Sequence, residues 1–131
     1  MIYSPEVPVF RDDIDRLLDE PWHTSIITSP AVNAGALRKN SPELKGQILP
    51  VMRERIDRVL ALAASHEHTH LVLGAWGCGV FQNDRNDIAE LFASSLIEGP
   101  AAKSFERVRF SVLDRDREQM TIQAFQKTLA K

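Results

Sequence analysis

Glycines 74, 77 and 79 stand inside Gly74-Ala75-Trp76-Gly77-Cys78-Gly79-Val80-Phe81-Gln82-Asn83-Asp84, between an apolar run and the start of a helical pattern. Glycine reaches positive φ at little steric cost, so this density lets several backbone N–H groups turn toward one point. A nest of donors between a strand and a helix is a common way to hold phosphate. An ordinary strand-to-helix turn needs one glycine, and on pattern alone both readings stand. Asp84 is a helix cap with Asp87 three residues later. These carboxylates already satisfy the helix dipole and would repel a nearby phosphate. An anion is therefore expected on the amides of residues 77 to 81, ahead of the cap.

His66, His68 and His70 alternate as a chelating set would. They lie between a helix end and a strand with no carboxylate or cysteine placed beside them, so no metal is expected. Asp12-Asp13-Ile14-Asp15 reads as a solvated turn. Cys78 is the single cysteine and permits neither an internal disulfide nor a cysteine zinc site. Ser29 and Asn33 flank a small-residue loop, residues 30 to 36, at the C-terminal end of a strand, the side where open α/β sheets place ligands. They are candidate rim residues, although Asn33 serves equally well as a turn cap.

Ile2–Arg11 carries prolines at 5 and 8 and reads as an irregular or edge strand, or an extended loop. Arg16 to Glu20 is a connecting piece. Trp22–Ser29 is β-branched and apolar, and Pro30 ends it. Ser41-Pro42-Glu43 resembles a helix start, with a fresh start or kink expected near Pro50. Met52, Ile56, Val59, Leu60 and Ala63 then share one helical face, with Glu54 and Arg58 paired on the other.

Leu71-Val72-Leu73 reads as a strand buried on both faces of a parallel sheet. Ile88, Leu91, Phe92, Ser95 and Leu96 repeat at helical spacing up to Gly99-Pro100. Arg107–Asp114 alternates as a last strand, and 116–129 reads as a final amphipathic helix. Strand, strand, helix, strand, helix, strand, helix predicts an α/β layered domain with a mostly parallel sheet.

A chain of 131 residues with 44% hydrophobic and 26% charged residues suits one globular domain, expected over 1–131. The formal net charge of −2 and the absence of a Lys/Arg run argue against direct nucleic-acid binding. No apolar run approaches a membrane span, and Met1-Ile2-Tyr3-Ser4-Pro5 lacks the pattern of a signal peptide. A cytoplasmic location is the default expectation.

Residues 74 to 84 resemble the diphosphate-binding loop of poly(ADP-ribose) glycohydrolases, whose WGCG-x-F core is matched in full by Trp76 to Phe81. The stretches Met1–Asp13, Ile27–Gly35, Arg53–Ser65 and Arg107–Asp114 with the helix after it resemble the microbial branch, so the similarity covers nearly the whole chain. It implies a three-layer α/β/α macrodomain-type fold with a mostly parallel central sheet, here lacking the family's N-terminal strands. It further implies ADP-ribose or poly(ADP-ribose) as the ligand and no cofactor. The ligand-binding set would be Gly74, Ala75, Gly77, Cys78, Gly79, Val80 and Phe81. In it, amides around Gly77, Cys78, Gly79 and Val80 cradle the diphosphate, and Phe81 packs against the distal ribose. Trp76 would anchor the loop in the core and Cys78 would be a small buried filler.

The family's catalytic signature is a Gly-Gly-Gly segment followed by Gln-Glu-Glu, and this sequence contains neither a triple glycine nor a Glu-Glu pair. No catalytic residue is therefore assigned. Complete members hydrolyse ribose–ribose bonds; this chain alone is expected to be silent, whether it is a C-terminal portion of a longer glycohydrolase or a free-standing truncated relative. The alternatives are a non-catalytic ADP-ribose reader or regulator, and an assembly module completed by a partner chain. Exposed sheet edges would make it a homodimer or strand-exchanged assembly.

Overall fold

Strand β1 (Ile2–Arg11) and strand β2 (Leu17–Thr28) pair antiparallel, with Ile2 opposite Thr28 and Val9 opposite Trp22. They form the first of two units, Met1–Pro30 and Ala31 onward, into which the chain divides in a computed structural model that describes residues 1–129. The register slips between Ser4 and Val7. Pro5, which has no N–H to give a ladder, falls in that slip beside Glu6 at φ 53°. β1 is thus a strand with irregularities rather than a loop.

The turn between them closes on Asp12, whose carboxylate accepts from the Ile14 and Arg16 amides at 3.0 and 2.9 Å and from the Arg16 side chain at 2.8 Å. The Arg16 amide is the main cause holding the Asp12 carboxyl below its usual range. The connecting piece expected over Arg16 to Glu20 belongs largely to β2. Its weak local alternation is overridden by ladder bonds to β1, which no local pattern reports.

The second unit contains α1 (Ala34–Asn40), a 3-10 turn (Pro42–Gln47) and α2 (Ile48–Ser65), then β3 (His70–Leu73) and α3 (Arg85–Ala93). A π turn (Ser94–Glu98), β4 (Arg107–Phe110) and α4 (Met120–Leu129) follow. Helix α1 begins inside the loop expected over residues 30 to 36, because Asn33 Oδ1 accepts from the Ala36 amide at 3.0 Å and caps it. Pro50 lies in the first turn of α2, where its missing N–H costs nothing.

Helix α2 buries Ile48, Met52, Ile56, Leu60 and Ala63, and α3 buries Ile88, Ala89, Leu91 and Phe92. Each large side chain among them is worth about 1.5–3 kcal/mol on burial. Phe110 of β4 meets Phe92 edge-on at 5.2 Å and Phe125 of α4 in a tilted contact at 5.3 Å, tying strand to both helices.

Strands β3 and β4 pair parallel, from His70 opposite Arg107 to Leu73 opposite Phe110. The α/β class stands. The parallel pairing is carried by β3 and β4, while β1 and β2 form a separate antiparallel sheet. Leu71 and Leu73 pack on the core, but Val72 is 74% exposed, so β3 is covered on one face rather than both. The last strand ends at Phe110 instead of Asp114, and the last helix starts at Met120 instead of Asp116. Between them Asp114 turns back to accept from the Thr121 and Ile122 amides at 2.7 and 3.2 Å, capping α4 from outside the element. Among the described residues no helix is long and apolar enough to cross a membrane.

Candidate anion-binding site

Two consecutive turns shape the loop between β3 and α3. The Cys78 N–H donates to Ala75 O at 3.1 Å, and the Gln82 N–H donates to Gly79 O at 2.9 Å. A turn closed from i to i+3 leaves the amides between its ends pointing away from the closing bond. Gly77 lies inside the first turn, Val80 and Phe81 inside the second and Gly79 at their junction, and these four amides reach no acceptor among the described residues, whereas the Trp76 N–H donates to Gly74 O at 2.8 Å. Val80 is 91% exposed and Gly79 is exposed beside it. Four donors within five residues, two of them on the exposed Gly79 and Val80, suit an anion with several oxygens.

The loop's other side is fastened inward. Gly77 sits at φ +78°, and a Cβ there would lie 2.5 Å from Asn83 Nδ2 and 2.6 Å from Ala31 Cβ. Only glycine fits both the dihedral and the space. The buried Asn83 carboxamide donates to Val32 O at 2.8 Å and to Gly77 O at 3.0 Å, and its backbone N–H donates to Gly77 O at 3.0 Å. Asn83 is only 5% exposed and its Oδ1 has no partner. A buried unpaired acceptor costs about 1–3 kcal/mol, so the two N–H bonds are retained against a penalty.

Further ties join the loop to α1. The Gly35 N–H donates to Phe81 O, and Arg38 donates to Gln82 O, both at 3.0 Å. Asp84 caps α3 by accepting from the Asn86 and Asp87 amides at 2.8 and 3.2 Å. Desolvation, then the Asp84 charge, raises the Asp87 carboxyl, with Arg38 opposing. Negative charge is thus concentrated at the helix start and the free amides precede it.

The candidate residues fall into distinct places. Gly77, Gly79, Val80 and Phe81 present free amides, whereas Cys78 turns its N–H inward to Ala75. Burial pushes the Cys78 thiol up to about 11, so it stays protonated at neutral pH and is no nucleophile. Trp76, Ala75, Cys78 and Phe81 are partly buried against the core, and Gly74 lies beside Ser111 O. Asn33 caps α1, and Ser29 lies in the hairpin unit just after β2.

Among the described residues no three His, Cys, Asp or Glu side chains are grouped to hold a metal. Three contributors escaped the sequence reading: Asn83, Gln82 and Arg38. Asn83 bonds across 51 positions to Val32, a distance over which no local spacing gives a signal.

A scan against family models finds no match, and no curated protein is similar enough to count. Solved structures are similar. Poly(ADP-ribose) glycohydrolase from Deinococcus radiodurans, in complex with ADP-ribose, aligns with 52% identity and a TM-score of 0.92, covering 98% of this chain and 51% of that one. The same protein in apo form aligns with 52% identity and a TM-score of 0.91, over 98% and 52%. The Thermomonospora curvata enzyme aligns with 46% identity and a TM-score of 0.84, over 97% of this chain and 46% of that one. The chain thus spans about half the length of these structures.

Glycines 77 and 79 separate packing from access. Nothing lies within 4 Å of a Cβ built on Gly79, and its φ is not in the left-handed region. Gly77→Ala is expected to lower stability by about 1–3 kcal/mol, the cost of a strained backbone. Gly79→Ala is expected to leave it within about 0.5 kcal/mol. Denaturant unfolding of both variants measures the contrast.

Proposed function

Because the chain belongs to the bacterial poly(ADP-ribose) glycohydrolase family, over about half the length of its solved members, we propose that it binds ADP-ribose through the loop between β3 and α3. The observation that carries this reading is the run of free amides at Gly77, Gly79, Val80 and Phe81, set ahead of a helix whose own first amides Asp84 occupies. Preorganised N–H groups suit a diphosphate because they give several charge-assisted bonds with no competing side-chain charge. Phe81 is partly buried with its carbonyl tied to Gly35, and in this reading its ring packs against the adjoining ribose.

Within this reading the chain holds the ligand without cutting it. Glycosidic cleavage needs a carboxylic acid to protonate the leaving oxygen. None of the nine glutamates of this sequence lies in a Gln-Glu-Glu segment, so hydrolysis is not assigned to any of them.

A second reading, assembly, is favoured by the sheet. A parallel pair of strands is ordinarily part of a larger sheet covered on both faces. Here β3 and β4 pair only with each other among the described residues, and Val72 is exposed. We read these edges as docking positions for further strands, from a second copy or a partner chain. Light scattering on the purified chain is expected to show a dimer or larger species, and a monodisperse monomer would contradict pairing with a second copy.

Calorimetric titration with ADP-ribose tests the first reading. Saturable heat is expected, abolished by Gly79→Val, which covers the amides in space that is open in the fold. Phe81→Ala is expected to weaken binding by roughly tenfold. Absence of binding at millimolar ligand would overturn the reading. Release of ADP-ribose from polymer by the chain alone would overturn its non-hydrolytic part.

A further inference from the structure

We propose that the Asn83 carboxamide is the positioning group for the anion-binding loop: its two N–H bonds, to Val32 O and Gly77 O, hold the free amides in one array. Both partners are carbonyl oxygens, at 2.8 and 3.0 Å, which requires the nitrogen end of the side chain to face them. Aspartate offers no donor in its ionised form and serine only one, whereas a carboxamide supplies two from a single buried atom.

The geometry shows how the hold is transmitted. Gly77 O accepts from the Asn83 side chain and from the Asn83 amide. In a trans peptide the C=O and the following N–H point in opposite directions. Fixing Gly77 O toward Asn83 therefore directs the Cys78 N–H the other way, to Ala75 O, and sets the first turn. Asn83 directly follows the second turn, which the Gln82 N–H closes on Gly79 O, and its own N–H returns to Gly77 O. The other bond reaches the segment leading into α1, where the Val32 N–H contacts Met52 Sδ at 3.2 Å in the core of α2. One side chain thus couples the loop, through the Val32 segment, to the buried face of α2. Its Oδ1 remains unpartnered within the fold, so the donors hold the residue in place and the oxygen contributes nothing.

Two measurements on the full chain test the proposal. Amide exchange needs no ligand. ADP-ribose titration rests on the binding reading given above. Asn83→Leu keeps the branched shape and heavy-atom count of the side chain but removes both donors and the orphaned oxygen. It is expected to speed exchange of the Cys78, Gln82 and Asn83 amides by roughly tenfold or more, while the Ile56 and Leu60 amides of α2 stay within about twofold. Affinity for ADP-ribose is expected to fall by roughly tenfold or more in the same variant.

If Asn83→Leu does not fold, Asn83→Ser, which keeps one donor, is expected to give intermediate effects in both measurements. Exchange that accelerates equally in loop and core would reduce Asn83 to a general structural residue and overturn the proposal. So would unchanged loop exchange. A wild-type chain that does not bind ADP-ribose would remove the binding reading, and the exchange comparison would still decide the role of Asn83.

Discussion

The close approach of Gly77 to Asn83 and Ala31 is the constraint on which the loop depends. No side chain fits between them, so the backbone itself is the wall, and its carbonyl lies within reach of a buried donor. From this follow the left-handed φ, the first turn and the outward direction of the neighbouring amides. Substitution at the exposed end, Gly79, meets nothing, whereas at Gly77 it meets the fold. The free amides are thus a consequence of a packed contact a few residues away rather than of loose glycine-rich backbone.

The surrounding unit gives that contact something rigid to lean on. Helix α2 places Met52 against the Val32 amide and carries a continuous buried stripe from Ile48 to Ala63. Helix α3 starts on the Asp84 cap immediately after the loop and buries Ile88, Leu91 and Phe92. The loop is therefore bounded by a strand whose Leu73 packs on the core and by a capped helix. Its ends cannot drift while the core is intact, and preorganisation of this kind reduces the ordering cost of binding.

Much of this was legible from residues because the signals were local. The glycine spacing from 74 to 79, the Asp84 cap, the apolar face of α2 and the helix stop at Gly99 each depend on neighbours within about a turn or two. The resemblance carried by Trp76 to Phe81 pointed to the same loop, and the similar solved structures include one in complex with ADP-ribose.

What could not be read depends on partners far along the chain. The extension of β2 back to Leu17 needs β1, the late start of α4 needs Asp114, and the hold on Gly77 needs Val32 and Asn83 together. The inward turn of the Cys78 amide is likewise a property of the folded loop. The exposure of Val72 reflects which elements are present to cover it, which an apolar triplet does not report.

The central claim is that backbone amides of this loop are the anion-binding groups. Its most direct test is the amide proton and nitrogen resonances of the 131-residue chain followed during titration with ADP-ribose. Saturable shifts are expected to be largest at Gly77, Gly79, Val80 and Phe81, with the already bonded Cys78 and Gln82 amides moving less. Binding that leaves those four resonances in place while shifting others would contradict the account.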